Sequence, residues 1–212
     1  MTHGGAPVVV REGDPCRIGA AVVAAGDFPR AGGEARALLD GAARVVCCDG
    51  AADAFLRETG REPDAVVGDG DSVRGSFANF VKVPEQETND LEKAVRWCVS
   101  RGWGVPAVFG AAGGREDHFV GNVFRAFALG ADIVTDLGRF CFVGSRAAFL
   151  TRKGAAVSVF ATDPSAAAKS SGLEWPLDGV EFRNLYAATL NRAVSERVTV
   201  ETSAPLYVYF ES

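Results

Sequence analysis

The stretch Asp64–Ser72, with the sequence DAVVGDGDS, is the part of the sequence from which the fold is predicted. Ala65-Val66-Val67 is a short apolar run of the kind that forms a buried strand. Two carboxylates, Asp69 and Asp71, follow it directly, and a glycine precedes each of them. Like charges beside a core repel each other and lose hydration, and a bound cation is the usual way to offset this cost. The stretch therefore predicts a buried strand that ends at a cation site.

Strand-like and helix-like runs alternate on both sides of this stretch. Such alternation predicts a parallel sheet with helices, a Rossmann-like α/β domain, in which ligands bind beyond the carboxyl ends of the strands. Acidic or glycine-rich turns follow four strands directly, so we expect them on one edge of the sheet: Asp27, Asp49, Asp69 with Asp71, and Gly110–Asp117. The predicted strands are Ala20–Ala25, Arg44–Cys48, Ala65–Val67, Phe80–Val83, Pro106–Phe109 and Ala131–Thr135, and the predicted helices are Gly33–Gly41, Ala51–Thr59, Asn89–Arg101 and Glu116–Leu129.

The pattern changes at about Leu137. From there the chain consists of short alternating or apolar runs separated by Gly, Pro, Asp and Ser, without a convincing helix. This pattern is typical of an all-β sandwich. We therefore predict two domains, an α/β domain over residues 1–136 and a β-sandwich over residues 137–212.

Composition and charge exclude several classes of protein. The 212 residues carry a formal net charge of −5, whereas broad binding to nucleic acid or to an anionic membrane requires a basic surface. The first residues do not resemble a signal peptide, and no apolar run approaches the roughly 18 residues of a membrane span. We expect a cytoplasmic protein. The five cysteines are odd in number and form no CxxC pair, so they predict buried free thiols: Cys16, Cys47, Cys48, Cys98 and Cys141.

The acidic turn Asp69-Gly70-Asp71-Ser72 suits a Mg²⁺ ion. Mg²⁺ takes hard oxygen ligands and prefers one or two carboxylates together with water and substrate phosphates. The working hypothesis is therefore a Mg²⁺ site on an enzyme that handles nucleotides. The alternative is a solvated turn, in which Asp and Gly are common without any ligand.

The segment Thr88–Lys93 opens the clearest helix of the sequence. Asn89 and Glu92 fit a capping box, and Asp90 lies in the first turn, where the helix dipole favours an acid. Lys93 follows three residues later on the same face. An acid for a metal and a cation for a phosphate could therefore project together. The alternative is helix capping with a surface ion pair.

A glycine-rich turn, Gly110–Gly114, precedes Arg115–His118 and, one helical turn later, Asn122. Glycines after a strand let backbone N–H groups approach a phosphate at the start of the next helix. Arg115 can hold phosphate oxygens bidentately, and Asp117 could add a metal ligand or accept a proton.

Two further residues each have two interpretations. Asp49 could bind a substrate hydroxyl or cap the helix that follows it, and Trp175 could stack on an aromatic cation or belong to a core. Together the segments predict a net-acidic pocket that nevertheless binds phosphate. This requires a divalent metal between carboxylates and phosphates, which is the layout of phosphoryl or pyrophosphoryl transfer.

Five segments resemble, in order and spacing, the thiamine pyrophosphokinase family: CDGAADAFL, PDAVVGDGDS, ETNDLEKAV, GAAGGREDHFVGN and SSGLEWPL. The resemblance implies an α/β catalytic domain that binds ATP, a β-sandwich that binds thiamine, and a homodimer. It implies transfer of the β,γ-diphosphate of ATP to the hydroxyethyl hydroxyl of thiamine, with Mg²⁺, to give thiamine diphosphate and AMP.

The resemblance also implies roles for individual residues. The implied metal ligands are Asp69, Asp71 and Asp90, and the implied catalytic groups are Asp71, Asp90 and Asp117. The implied ATP-binding residues are Asp49, Ser72, Lys93, Arg115, His118 and Asn122. Ser171 and Trp175 are implied to bind thiamine in a site completed across the dimer.

Two segments depart from the family pattern. Gly70 stands where the family usually has Phe between the two turn acids, which removes a packing group from the turn. Leu190-Asn191-Arg192 stands where the family often has Ser-Asn-Glu, which removes a serine and an acid near the thiamine.

Two alternative functions stay open. One is a Mg-dependent phosphatase like the haloacid dehalogenases, with Asp69 and Asp71 as nucleophile and acid–base pair, although the turn of that group lies near the N-terminus. The other is a non-catalytic sensor of thiamine or a nucleotide, which has no need of so many costly carboxylates.

Overall fold

The computed structural model describes residues 10, 11 and 18–212. The described chain forms two compact units, one of residues 18–136 and one of residues 137–212 together with the strand at residues 10 and 11. The boundary lies between Asp136 and Leu137. Cys16 and the first residues, for which we predicted a buried thiol and no signal peptide, lie outside the described residues.

The elements follow the predicted alternation of strands and helices in the first unit. The first strand, β1 (Val10–Arg11), belongs to the second unit. The elements of the α/β unit are β2 (Ala20–Val23), α1 (Glu34–Asp40), β3 (Arg44–Cys48), α2 (Asp49–Thr59), β4 (Ala65–Gly68), β5 (Phe80–Lys82), α3 (Asp90–Ser100), β6 (Ala107–Phe109), α4 (Glu116–Ala128) and β7 (Ile133–Thr135).

Six parallel strands form the sheet of the described α/β unit, in the order β7-β6-β2-β3-β4-β5. The residues of β2 and β4 are all buried, as expected for parallel strands that are covered on both faces. Helix α3 packs on β2, β3 and β4, and α2 packs on β3 and β4. The strand order reverses at β2, and ligands of such sheets bind beside the carboxyl ends of the strands at that point.

The second unit is a sandwich of two antiparallel sheets. Its further elements are β8 (Gly138–Val143), β9 (Arg146–Leu150), β10 (Ala156–Ala161), β11 (Ala168–Ser171), β12 (Ala188–Arg192), β13 (Arg197–Thr202) and β14 (Leu206–Glu211). One sheet has the order β12-β10-β14-β8 and the other β1-β9-β13-β11. Side chains from both sheets, among them Phe149, Val198 and Phe210, form one buried core. The predicted α/β fold followed by an all-β sandwich is confirmed.

The start of α3 confirms half of the predicted capping box. The Asn89 side chain accepts a hydrogen bond from the Glu92 N–H at 3.0 Å. The Glu92 carboxylate does not reach back to the cap. It is buried and lies 2.5 Å from Arg96 Nη2 and 2.6 Å from Arg125 Nη1, the second contact being an ion pair without hydrogen-bond geometry. Glu92 thus fastens α3 to α4.

The four described cysteines confirm the prediction of buried free thiols: Cys47, Cys48, Cys98 and Cys141. Burial raises the pKa of the Cys98 thiol to about 12, and burial also raises the pKa values of Cys47 and Cys48. Among the residues that the structure describes, no helix has both the length and the apolar character needed to cross a membrane.

Candidate active site

Asp49 occupies a buried position at the carboxyl edge of the sheet. It is the first residue of α2, directly after β3, and its neighbour Cys48 pairs with Val67 of β4. This register places Asp49 against Gly68, where an added Cβ would lie 2.7 Å from the Asp49 Cγ. Only a glycine at position 68 leaves room for the carboxylate. The N-cap of α2 is Cys48, so Asp49 is the first residue of the helix and does not cap it.

Backbone N–H groups compensate the buried charge of Asp49. Its Oδ1 accepts a hydrogen bond from the Gly50 N–H at 2.6 Å, and its Oδ2 accepts from the N–H groups of Gly70 at 3.1 Å and Ser72 at 3.5 Å. A buried carboxylate with such partners retains its charge at lower cost. The last two donors belong to the acidic loop, a name we use for residues 69–75.

Asp49, Asp69 and Asp90 form a cluster in which one carboxylate oxygen from each lies within 4.8 Å of the others. Asp69 follows β4 and Asp90 begins α3, so three elements deliver the three acids to one place. Lys93 Nζ donates a hydrogen bond to Asp90 Oδ1 at 3.1 Å and lies 4.0 Å from Asp69 Oδ2. The Lys93 side chain is only 3% exposed. The ammonium group is thus buried against a partly buried acid of the cluster, which differs from the surface ion pair of the alternative interpretation.

Electrostatics in the cluster act differently on its members. Burial, together with the nearby charges of Asp49 and Asp69, raises the pKa of Asp90 despite its hydrogen bond with Lys93. A hydrogen bond from the Gln86 side chain to Asp69 Oδ2, at 3.0 Å, is the main cause of a lowered pKa of Asp69. Burial opposes the charge on Lys93, but its hydrogen bond to Asp90 and the surrounding carboxylates raise its pKa overall.

The donor set fits a hard divalent cation. Three carboxylates share one ammonium group, so the cluster carries excess negative charge in a partly buried place. Oxygen donors of this kind are the ligands that Mg²⁺ prefers. Asp69 and Asp90, which we predicted as metal ligands, are brought together, and the third carboxylate is that of Asp49.

Asp71 and Ser72 lie on the acidic loop with exposed side chains, outside the three-carboxylate cluster. The Asp71 N–H donates to Asp69 Oδ1 at 3.1 Å, so the backbone of Asp71 orients Asp69. Gly70 between them has φ +92, and an added Cβ would lie 3.4 Å from the Phe80 ring. The aromatic ring beside this turn therefore comes from β5.

The glycine-rich turn after β6 is joined to the end of β2. The Gly26 and Asp27 N–H groups donate to the carbonyls of Gly110 and Ala112 at 2.8 and 2.7 Å. Gly110 has φ +62, and a Cβ there would lie 2.5 Å from the Ala24 carbonyl oxygen. Only glycine permits this close approach. The two predicted edge segments are therefore adjacent.

Arg115 and Asp117 bind each other at the start of α4. Arg115 donates from Nε and Nη2 to the two Asp117 oxygens at 3.0 and 2.6 Å. These hydrogen bonds raise the pKa of Arg115 and lower that of Asp117. The side chains of both are largely exposed, as is His118, whereas the Asn122 amide donates to the Ala111 carbonyl at 3.1 Å. This group is close in sequence to the glycine-rich turn and is not part of the carboxylate cluster.

Ser171 and Trp175 lie in the β unit. The Ser171 hydroxyl is hydrogen-bonded to the Thr199 hydroxyl at 2.6 Å. Trp175 is 56% exposed, which excludes the core interpretation. The Asn191 amide holds its backbone, donating to the Trp175 carbonyl at 2.7 Å and accepting from its N–H at 3.2 Å. Leu190 lines the same pocket as Trp175, is 87% exposed, and has φ +60, a strained conformation for leucine.

Sequence reasoning missed Gln86 and Asp53. Gln86 lies on the loop after β5, and no sequence spacing predicts its contact with Asp69. Asp53 accepts hydrogen bonds from the backbone of the acidic loop. Asp53 lies four residues after Asp49, and residues four apart lie on one helix face. The predicted helix began only at Ala51, whereas α2 begins at Asp49, so the sequence prediction did not pair the two acids.

Comparisons with protein families give two matches that together span most of the chain. Residues 35–134 match the family described as "Thiamin pyrophosphokinase, catalytic domain". Residues 138–209 match "Thiamin pyrophosphokinase, substrate-binding domain". No curated protein matches the chain significantly.

Solved structures share the fold of both units. A thiamin pyrophosphokinase from Geobacillus thermodenitrificans has a TM-score of 0.73 at 22% identity, over 91% of this chain and 97% of its own. A thiamin pyrophosphokinase family protein from Enterococcus faecalis has a TM-score of 0.74 at 15% identity, over 91% and 98%. Thiamin pyrophosphokinase from Candida albicans has a TM-score of 0.67 at 15% identity, over 90% and 88%.

Proposed function

The chain belongs to the thiamin pyrophosphokinase family and is an enzyme that forms thiamine diphosphate with ATP as co-substrate, and from this premise we propose that the transfer takes place at the carboxylate cluster of the α/β unit. The observation that carries the proposal is the cluster of Asp49, Asp69 and Asp90 with the buried Lys93. Excess negative charge beside a buried ammonium group suits a cation and a polyphosphate together.

The cluster residues would divide the work between metal and phosphate. Asp69 and Asp90 have the donor chemistry to hold Mg²⁺, which when bound supplies charge neutralisation for the triphosphate. Lys93 would contact phosphate oxygens from its place between these two acids. Arg115 would do the same after exchanging its Asp117 partner for phosphate, since guanidinium binds both groups bidentately. The glycine-rich turn would contribute backbone N–H groups.

The reaction needs no covalently modified side chain. The thiamine hydroxyl oxygen would attack the β-phosphorus in line and form a new O–P bond. The bond from the β-phosphorus to the α,β-bridging oxygen breaks, and AMP leaves with that oxygen and the electron pair of the bond. Asp71 or Asp117 would orient the hydroxyl and accept its proton, because both carboxylates are exposed at the edge where substrates arrive. The two remain alternatives for this role.

Thiamine binding would involve the pocket at Trp175. An exposed indole face suits the cationic thiazolium ring, and the hydrogen bonds of Asn191 fix the backbone from which the Trp175 side chain extends. Ser171 would contribute a hydroxyl. A homodimer that completes this site, and a cytoplasmic location, also belong to the proposal. The negative net charge supports small-molecule substrates rather than nucleic acid.

Product identification tests the proposal. The enzyme is incubated with thiamine and Mg·ATP, and both products are identified by mass spectrometry. We expect thiamine diphosphate and AMP in equal amounts, and no turnover when Mg²⁺ is removed by a chelator. ADP with thiamine monophosphate would overturn the proposed transfer of a diphosphate group.

The two alternative functions gain no support from the comparisons. The same incubation distinguishes them, because a phosphatase of the haloacid dehalogenase type would release phosphate through an aspartyl-phosphate on Asp69. A sensor would bind thiamine without forming AMP.

A further inference from the structure

Asp53 of α2 holds the second half of the acidic loop through its backbone. Its Oδ2 accepts a hydrogen bond from the Arg74 N–H at 2.8 Å, and its Oδ1 accepts from the Gly75 N–H at 2.9 Å. A Cβ on residue 75 would lie 2.7 Å from that Oδ1. Glycine at this position lets the carboxylate reach both N–H groups. Each oxygen of Asp53 thus has one backbone donor from consecutive residues.

Asp49 holds the first half of the same loop, through the N–H groups of Gly70 and Ser72. Asp49 and Asp53 are four residues apart on α2, so they lie on the same helix face, one turn apart. Two carboxylates on a single rigid helix therefore accept four backbone N–H groups spread over residues 70–75. Hydrogen bonds to charged acceptors are about twice as strong as neutral ones.

Three polar side chains of the acidic loop are exposed. Asp71, Ser72 and Arg74 are all exposed, whereas the loop N–H groups that bond to Asp49 and Asp53 are turned towards α2. After the loop, Phe77 is buried in the core of the α/β unit. The loop is fixed along its backbone and at its far end, while Asp69 faces the carboxylate cluster and the polar side chains after it are exposed.

We propose that Asp53 is a positioning residue that acts with Asp49 as a clamp on the acidic loop and sets the direction of Asp71 and Ser72 before substrates bind. The catalytic part of this inference rests on the proposed function. Gly70, with φ +92, has a backbone conformation that glycine adopts without strain, and as a glycine it has more conformational freedom to lose than other residues when the loop is ordered. Without a clamp, closely spaced carboxylates would repel each other and the loop would have to be ordered at the expense of binding energy. With it, that ordering is already complete in the free enzyme.

Hydrogen exchange of the free enzyme tests the clamp without any substrate or metal. In Asp53→Ala we expect the Arg74 and Gly75 amides to exchange roughly tenfold to a hundredfold faster, as expected for lost hydrogen bonds to a charged acceptor. Asp53→Asn retains one acceptor oxygen and should show an intermediate effect. Asp40→Ala, at an exposed acid of α1, is the control and should leave exchange in the acidic loop unchanged.

Steady-state kinetics tests what the clamp does for the reaction. We expect kcat of Asp53→Ala to fall about tenfold to a hundredfold, as for a small misplacement of reacting groups. KM for thiamine should stay within about twofold, since Trp175 is untouched. Asp53→Asn should recover part of the lost kcat and also serves as the variant to measure if Asp53→Ala does not fold.

Either of two results would overturn the inference. One is unchanged exchange at Arg74 and Gly75. The other is faster exchange spread equally over β2, β3 and β4, since this would make Asp53 a general stabiliser of the unit. If the wild-type enzyme makes no thiamine diphosphate, the proposed function fails, but the exchange result still decides whether the clamp exists.

Discussion

The carboxyl edge of the α/β unit and the Trp175 pocket of the β unit are built on opposite principles. At the edge, the side chain of Lys93 is buried and hydrogen-bonded to the partly buried Asp90, so two of the proposed site residues hold each other. In the pocket, the functional side chain is exposed and only its backbone is held, by Asn191. A change at the edge should therefore affect both electrostatics and structure, whereas a change in the pocket should affect binding alone. Mutations can test this contrast.

The largest effect is expected from Asp90→Asn. The amide has nearly the same size but removes the negative charge that pairs with Lys93 and would hold the metal. We expect kcat to fall about a hundredfold to a thousandfold, comparable to the loss of one group that stabilises developing charge. The measurement is AMP release with thiamine and Mg·ATP.

Asp40→Asn, at an exposed acid outside the site, is the matched control for Asp90→Asn and should behave like the wild type. Near-normal AMP release by Asp90→Asn would remove the carboxylate cluster from the catalytic site.

Trp175→Ala should have a smaller and more selective effect. Loss of a ring face that contacts a cation costs about 0.5–2 kcal/mol, so we expect KM for thiamine to rise about tenfold with little change in KM for ATP. The melting temperature should hardly change, because the side chain is exposed.

Tyr186→Ala removes another exposed aromatic of the β unit that does not line the pocket, and it serves as the comparison for Trp175→Ala. Equal changes in the two KM values, or a large loss of stability, would contradict the separation of binding from folding in this unit.

Gly70→Ala should have a modest effect on the edge. A residue with a Cβ at φ +92 is strained by about 1–2 kcal/mol, and the new methyl group would meet the Phe80 ring. We expect a melting temperature lower by about 2–8 °C and a reduced kcat. Gly144→Ala, at a glycine of the β unit without positive φ, is the control. An unchanged kcat would mean that the acidic loop tolerates a second conformation.

The smallest effect is expected when the native enzyme is treated with an alkylating reagent, because the described cysteines of both units are buried. Because burial raises the pKa of Cys98 to about 12, almost none of its thiolate exists at neutral pH, and the thiolate is the reactive form. In a Cys16→Ser background we expect no alkylation of the native enzyme within hours and full alkylation in denaturant. Rapid labelling of Cys47 or Cys48 would show that the sheet below the site opens.

Sequence reasoning predicted the proximity of residues of the candidate site where local patterns carried the information. Asp69 follows an apolar run, and Asp90 and Lys93 are three residues apart in a capped helix, so their proximity could be predicted. Asp49 remained ambiguous because strand-end acids also cap helices. The decisive fact, Gly68 opposite its carboxylate, depends on the register of β3 and β4.

Other features could not be predicted because they depend on long-range contacts. Gln86 reaches Asp69 from a loop without regular structure. The Glu92 carboxylate pairs with Arg96 and with Arg125 of another helix instead of bonding to the helix cap, because a buried carboxylate gains more from two cations than from one N–H group.

The double pairing of Glu92 makes the neutralisation of its buried charge redundant, because one cation comes from α3 itself and the other from α4. If either Arg96 or Arg125 is lost, the buried carboxylate keeps the other cation, so each loss alone is partly compensated. Losing both leaves an uncompensated buried charge, a far greater cost than the sum of the single changes. Since Glu92 lies between Asp90 and Lys93, this non-additivity protects the helix turn that carries half of the proposed catalytic cluster against single substitutions.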